Sequence, residues 1–205
     1  MLLPVVFVDA DVLWSPTLRA WILNFATGSN TGRSPGFELV LTEAVIAEAV
    51  ARWHDKNPRA RGIVVTRMAE ALREVATIVR DYDAEIDFPG ADEGDIHVHA
   101  AAVQAGAGYL VTNDRGFHDL PDEAKDELPY EIYHPDEFLT LVADQSRGRL
   151  RDATREMMHH LAPKDGTSFK MVPSLRSAGA PVFADMVEEE LAVLAGARDV
   201  GFGRR

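Results

Sequence analysis

Four acidic side chains recur at the ends of predicted strands or on predicted helices: Asp9, Glu48, Asp95 and Asp114. Asp9 directly follows an apolar run, and Asp114 follows a second short apolar segment near residue 110. Carboxylate oxygens are the ligands of hard cations such as Mg²⁺ and Mn²⁺. A pair of such ions, roughly 4 Å apart, activates water and stabilises the leaving oxygen of a phosphodiester. The residue types therefore predict metal-assisted phosphodiester hydrolysis.

Each of these acids also has an ordinary structural explanation when it is taken alone. An aspartate after a strand often caps the next helix, and a glutamate on an amphipathic helix is usually solvated. Acidic residues near a helix start, such as Asp92 and Asp95, favourably oppose the helix dipole. The joint placement of the four acids is what favours a site over these alternatives.

The elements that must position the acids follow from hydrophobic periodicity. Strands are predicted at 4–8, 37–41, 109–112 and 130–133, and helices at 12–24, 43–56, 60–82 and 93–106, with Asp11 and Thr42 as N-caps. Strands that alternate with helices predict a parallel sheet covered on both faces, a three-layer α/β/α sandwich. Asp9 and Asp114 would then lie at the carboxyl edge of the sheet, where such folds bind ligands.

The last third of the chain has a different pattern. Helical spacing is present at 135–143, 150–161 and 181–194, and turn-rich pieces at 162–168 and 177–181 separate these segments. We therefore predict an α/β domain at 1–134 and a helical C-terminal extension at 135–205.

Composition limits the class of protein. The net charge is −12, but residues 1–140 hold 11 basic and 24 acidic side chains whereas residues 141–205 hold 10 and 9. Bound cations would offset part of this acidic excess.

The chain has no cysteine, no apolar stretch near the roughly 20 residues of a membrane helix, and an apolar N-terminal run too short for a signal peptide. We expect a cytoplasmic protein without membrane contact.

The segments around the four acids resemble PIN domains. The run Val6–Leu13 is similar to the opening motif of that family, and Leu41-Thr42 followed by Glu48 is similar to its second acidic element. Asp92–Asp95 and Gly108–Phe117 resemble the third and fourth, of which Leu110–Asp114 is the most specific. The resemblance spans residues 4–140, and the tail resembles VapC-type toxins with a C-terminal extension.

The resemblance implies an endoribonuclease that depends on Mg²⁺ or Mn²⁺ and is usually the toxin of a toxin–antitoxin pair. Asp9, Glu48, Asp95 and Asp114 would be the metal-site acids, and Thr112 would orient a ligand or water. It also implies RNA as substrate, an antitoxin protein as partner, and a homodimer.

Three further polar residues are expected to support the site: Asp11, Asp92 and Asn113. Asp11 stands where many relatives carry asparagine; it would add an acid or cap the following helix, and we favour the cap. Asp92 would be a supporting acid or a turn residue. His97 and His99 match no usual zinc spacing and are interpreted as structural.

Two basic groups are candidates for contacts to RNA phosphates. One comprises Lys56, Arg59 and Arg61, around a predicted helix break. The other comprises Arg147, Arg151 and Arg155, which recur every four residues and so share one helix face. For each residue, the alternative is a solvated surface that pairs with nearby acids.

Two other functions remain open. Asp9-Ala10-Asp11-Val12 after an apolar run also resembles haloacid-dehalogenase-like phosphatases, in which Asp9 would be the nucleophile and Asp11 the general acid–base. Such enzymes normally bind phosphate with a lysine, and Lys56 is the only lysine between Thr42 and Asp92. That function leaves Glu48 and Asp114 unexplained. The third alternative is a catalytically inactive binding module that retains the fold.

Overall fold

The computed structural model describes residues 3–28, 34–90, 92–160 and 170–201, with backbone alone at residues 160 and 197–201. Its centre is a five-stranded parallel sheet of order β3-β2-β1-β4-β5. The strands are β1 (Val5–Val8), β2 (Glu38–Leu41), β3 (Thr77–Ile78), β4 (Tyr109–Val111) and β5 (Glu131–Tyr133). This order places β1 in the middle of the sheet.

Helices fill the connections between the strands and follow the last one. They are α1 (Ala10–Leu13), α2 (Pro16–Thr27), α3 (Glu43–Lys56), α4 (Gly62–Val75), α5 (Ile96–Gln104), α6 (Arg115–His118), α7 (Asp122–Asp126), α8 (Pro135–Gln145), α9 (Arg147–His160), α10 (Met171–Ser177) and α11 (Pro181–Gly201), with a 3₁₀ turn at Glu93–Asp95. The chain steps from β1 towards β3, then crosses to β4 and β5. Right-handed crossovers place these two sets of connections on opposite faces, so the predicted three-layer α/β/α architecture is confirmed.

The central strands are buried because their side chains are apolar on both faces. In β1, Val6, Phe7 and Val8 are fully buried, and in β4 Leu110 and Val111 are too. The register pairs Val8 with Val111, so the residues that follow these two strands emerge side by side at the carboxyl edge.

The predicted helix at 12–24 is wrong in its start and its continuity. The structure has two helices, and Asp9 rather than Asp11 is the N-cap of the first. Pro16 disfavours helical backbone at the residue before it, and Ser15 is extended with ψ 116 and caps α2 through the Leu18 amide. The break therefore follows from the Ser15-Pro16 pair.

Several short elements were not predicted from the sequence. The segment predicted as a helix at 60–82 ends at Val75, and β3 follows it, pairing with Val40 and Leu41 of β2. The helices α6, α7 and α10 were also missed, and α9 begins at Arg147, earlier than predicted. The predicted turn-rich piece 162–168 lies outside the described residues.

The C-terminal helices pack against the α/β part of the chain. The Phe183 ring of α11 contacts the Trp21 ring of α2 edge-on, with centroids 4.9 Å apart. The buried Asp136 of α8 accepts the Val182 and Phe183 amides at 3.1 and 2.8 Å, and so caps the first turn of α11. The boundary predicted after residue 134 falls between β5 and α8, yet buried side chains from both parts join one core.

Among the described residues, no helix combines the length and the apolar character that crossing a bilayer requires.

Candidate functional site

The carboxyl edge of the sheet brings the first and last predicted acids together. Asp9 follows β1, and its amide donates to the Val111 carbonyl of β4 at 3.0 Å. Thr112 is the residue directly after β4, and it is fully buried. Its hydroxyl donates to Oδ2 of Asp9 at 2.8 Å and accepts the Asp114 amide at 3.0 Å. A single hydroxyl thus couples Asp9 to the loop that carries Asp114.

Asp11 joins this site instead of capping a helix. Its carboxylate accepts the Asn113 amide at 3.0 and 3.2 Å and is 3.4 Å from the Thr112 hydroxyl. The predicted cap at Asp11 is wrong because α1 begins one residue after the strand, so that Asp9 occupies the N-cap and its Oδ1 accepts the Ala10 amide at 2.5 Å. Asn113 contributes its backbone amide to this contact.

Asp95 and Asp114 meet across Gly116. Asp114 caps α6 by accepting the Gly116 amide at 2.7 Å. The Asp95 carboxylate lies against the same glycine, where a Cβ atom would collide with Oδ2 of Asp95. Asp95 is only 8% exposed, and its Oδ2 atom is buried without a hydrogen-bond partner among the described residues. A buried carboxylate oxygen in this state is costly unless a cation or proton satisfies it.

Glu48 lies on α3, whose N-cap is Thr42 as predicted. The Glu48 carboxylate forms an ion pair with Arg52 one turn later, with Oε1 and Nη2 2.6 Å apart. Burial is the main cause that raises the pKa of Asp9; the charge of Glu48 raises it further and the charge of Arg52 lowers it, so both side chains lie within electrostatic range of the sheet edge. Sequence reasoning missed Arg52, although its spacing of four from Glu48 was a signal.

We refer to Asp9, Asp11, Glu48, Asp95 and Asp114 as the acidic cluster. Burial is the largest cause of a raised pKa in three of its members, Asp9, Asp11 and Asp95. For Asp11, burial and then the charge of Asp9 raise the pKa to about 7. For Asp95, burial and then the charges of Asp114, Asp92 and Asp9 raise it to about 6. The cluster therefore resists full ionisation at neutral pH without a cation.

Within the part of the chain that the structure describes, no three histidine, aspartate or glutamate side chains are arranged to hold a metal ion as they stand. Two of the predicted ligands are engaged elsewhere, Glu48 with Arg52 and Asp114 with the Gly116 amide. The unpartnered oxygen of Asp95 and the all-oxygen donor set nevertheless fit a hard cation.

The remaining predicted residues lie around this cluster. Asp92 is exposed and caps the 3₁₀ turn through the Gly94 amide at 2.8 Å, which makes it a turn residue whose charge reaches Asp95. His99 is buried with its Nδ1 atom 2.8 Å from the Tyr130 hydroxyl. His118 was not predicted to be near the site, yet its Nε2 atom is 2.9 Å from the Thr112 carbonyl.

The two basic groups differ in their surroundings. Lys56, Arg59 and Arg61 are exposed at the end of α3 and in the turn after it. The other three lie on α9 within ion-pair distance of acids: Arg147 with Asp144 and Glu189 at 3.7 and 3.9 Å, Arg151 with Glu190 at 2.5 Å, and Arg155 with Asp152 at 3.7 Å. For these three, the structure shows pairing with nearby acids, which was the alternative to RNA contact, although two of those acids, Asp152 and Glu190, are buried.

Comparison with protein-family models, curated proteins and solved structures finds no match to this chain.

Proposed function

We propose that the chain is an endoribonuclease that hydrolyses RNA phosphodiester bonds with Mg²⁺ or Mn²⁺. The observation that carries the proposal is the buried, unpartnered Oδ2 atom of Asp95 within the acidic cluster. In this interpretation Asp9, Glu48, Asp95 and Asp114 hold the metal, as the resemblance to PIN domains implies. Asp11 positions the loop after β4 through the Asn113 amide, and Thr112 positions the Asp9 carboxylate.

A cation explains the energetics of the cluster better than a proton does. One proton on Asp95 would satisfy that side chain alone, yet burial and neighbouring charges also raise the pKa of Asp9 and Asp11. A divalent ion offsets several carboxylates at once, because its charge favours the ionised form of each neighbour. The structure of the cluster therefore supports a function that uses a divalent ion.

The side chains of the acidic cluster and their neighbours would have different roles in holding that ion. Thr112 keeps the Asp9 carboxylate fixed through the 2.8 Å hydrogen bond to Oδ2, and such supporting contacts orient metal ligands. Glu48 must exchange its partner Arg52 for the metal. When bound, the metal supplies an activated water and stabilises the leaving oxygen of the phosphodiester. Arg52, once released, would be free to pair with an RNA phosphate.

The biological setting is proposed from the resemblance to VapC-type proteins. The chain would be the toxin of a toxin–antitoxin pair, act in the cytoplasm, form a homodimer and bind an antitoxin protein. A reading frame for a small antitoxin next to this gene, and suppression of toxicity when both are expressed, would support this role. Growth unaffected by expression of the chain alone would contradict it.

Cleavage of a mixed-sequence single-stranded RNA by the purified chain tests the proposed activity. We expect products with Mg²⁺ or Mn²⁺, none with EDTA, and at least a hundredfold lower rate for Asp95→Asn, while the exposed Asp81→Asn serves as control. Hydrolysis of p-nitrophenyl phosphate without RNA cleavage would favour the phosphatase. RNA binding with neither activity would favour the binding module, and each of these results would overturn the proposal.

A further inference from the structure

A cleft of about 750 Å³ opens beside the acidic cluster. On the side of the acidic cluster it is lined by Asp11, Asn113 and Trp14, the residue after α1. On the other side it is lined by Lys170, the residue before α10, and by Ser174 and Ser177 of α10. Its volume lies within the roughly 300–1,000 Å³ of ligand-binding pockets. The cleft thus joins the sheet edge to the helical C-terminal part of the chain.

Trp14 is the residue that suggests what the cleft binds. Its side chain is half-buried and lines the cleft, and among the described residues no other ring packs against it. By contrast, Trp21 is fully buried between Phe25 and Phe183 in the core. An indole at the wall of a cleft is a stacking surface for an unpaired nucleobase, because every base offers a π face.

The other lining groups fit the remaining parts of a nucleotide. Ser174 and Ser177 carry hydroxyls that both donate and accept, which matches the mixed edge of a base. Lys170 is exposed at the start of α10 and brings a positive charge suited to a phosphate. Asp11 and Asn113 belong to the same loop contact as Thr112, so a base in the cleft would lie next to the scissile phosphate.

We propose that this cleft binds one unstacked nucleobase of single-stranded RNA, adjacent to the phosphodiester that is cut. The inference rests on the proposed endoribonuclease activity and adds the residues that recognise the base beside the cut. Trp14 stacks on the base, Ser174 and Ser177 bind its edge, and Lys170 pairs with the flanking phosphate. The helix α10 thereby takes part in substrate recognition. A base within a duplex cannot enter, because it must first leave its stack.

The test separates binding from cleavage. The Kd of a 12-nucleotide single-stranded RNA is measured by fluorescence anisotropy in the Asp95→Asn background with Mg²⁺, and kcat and KM are measured in the wild-type background. Trp14→Ala is compared with Trp14→Phe, and a double change of Ser174 and Ser177 to alanine is the second probe. Arg176→Ala is the matched control, since it is an exposed residue of α10 that does not line the cleft.

We expect Trp14→Ala to raise both Kd and KM about tenfold with kcat changed less than twofold, and Trp14→Phe to restore most of the affinity. The serine variant should flatten the preference among four RNAs that differ only at the base beside the cut. Melting curves show whether each variant is folded. If Trp14→Ala is unfolded, the base preference of the serine variant tests the cleft instead.

Three other outcomes would contradict the cleft assignment or the proposed nuclease activity. RNA cleavage with Kd and KM unchanged in both variants would overturn the cleft assignment and leave the nuclease intact. RNA binding that requires Trp14, without any cleavage by the wild type, would support the cleft and overturn the nuclease. The third outcome is that free ribonucleoside monophosphates bind tightly only when Trp14 is present, while Trp14→Ala leaves oligonucleotide binding unchanged. That result would show a mononucleotide site and overturn the proposal.

Discussion

Replacing Asp95 with asparagine should make the metal-free protein more stable at neutral pH. Burial and the charge of Asp114 are the main causes that raise the pKa of Asp95 from 3.8 to about 6. The shift is about two pKa units, and each unit corresponds to about 1.4 kcal/mol. Ionised Asp95 therefore lowers the free energy of unfolding by up to about 3 kcal/mol, a penalty that the neutral amide of Asp95→Asn avoids.

The pH dependence distinguishes this cause from a general improvement in packing. The folded state binds the Asp95 proton more tightly than the unfolded state does, because the pKa of Asp95 is raised on folding. The loss of unfolding free energy is therefore absent below about pH 4, grows between about pH 4 and 6, and is complete above about pH 6. The stability gain of Asp95→Asn should follow the same course. Asp95 is better suited to this test than Asp9, whose two oxygens both accept hydrogen bonds that asparagine would partly lose.

Urea unfolding in EDTA at pH 4 and pH 7.5 measures the effect, with the exposed Asp81→Asn as control. Millimolar Mn²⁺ should then remove most of this difference in stability, since metal at about 100 times its Kd adds about 2.7 kcal/mol to the wild type and less to the variant. A variant no more stable than wild type at pH 7.5, or equally stabilised at both pH values, would refute the electrostatic explanation. Absence of any Mn²⁺ effect on the wild type would contradict the metal site.

Three further changes probe separate contacts. Asp136→Ala removes the cap of α11 and should cost about 1–2 kcal/mol in urea unfolding, with a smaller loss for Asp136→Asn; an equal loss for both would contradict capping. Thr112→Val breaks the hydrogen bond to Asp9 and should weaken Mn²⁺ binding about tenfold in calorimetry, whereas Thr112→Ser should bind normally. Arg52→Gln frees Glu48 from its half-exposed ion pair and should tighten Mn²⁺ binding up to about fivefold; weaker binding would show that Arg52 supports the metal site.

The sheet and its edge could be predicted because the information is local. Continuous apolar runs at 4–8 and 109–112 identify buried strands, and each is followed at once by polar residues. Parallel pairing then brings Asp9 and Thr112 together without knowledge of the exact register. Glu48 and Asp95 were grouped with these residues from their places on the predicted helices, and the resemblance to PIN domains implies the same four acids.

The errors arose where contacts far apart in sequence decide the structure. The strand β3 has only two residues and exists because its backbone pairs with β2. The role of Asp11 depends on the Asn113 amide, which lies 102 positions away. In α10, Pro173 sits within the first turn of a seven-residue helix, where proline is tolerated because the early amides have no helical partner. Such elements carry too little periodicity to be recognised from the sequence.

The basic residues of the tail lie beside acids in a way that composition alone does not reveal. Residues 141–205 are nearly balanced, whereas the rest of the chain is acidic, and these residues include one of the two basic groups that are candidates for RNA contact. On α9, however, Arg147, Arg151 and Arg155 lie close to acids. Ion-paired arginines attract phosphate less than their number implies, since the acid cancels much of their field. For the proposed RNA substrate, bound divalent ions would then have to offset the carboxylates of the acidic edge, so that metal would govern substrate binding as well as cleavage.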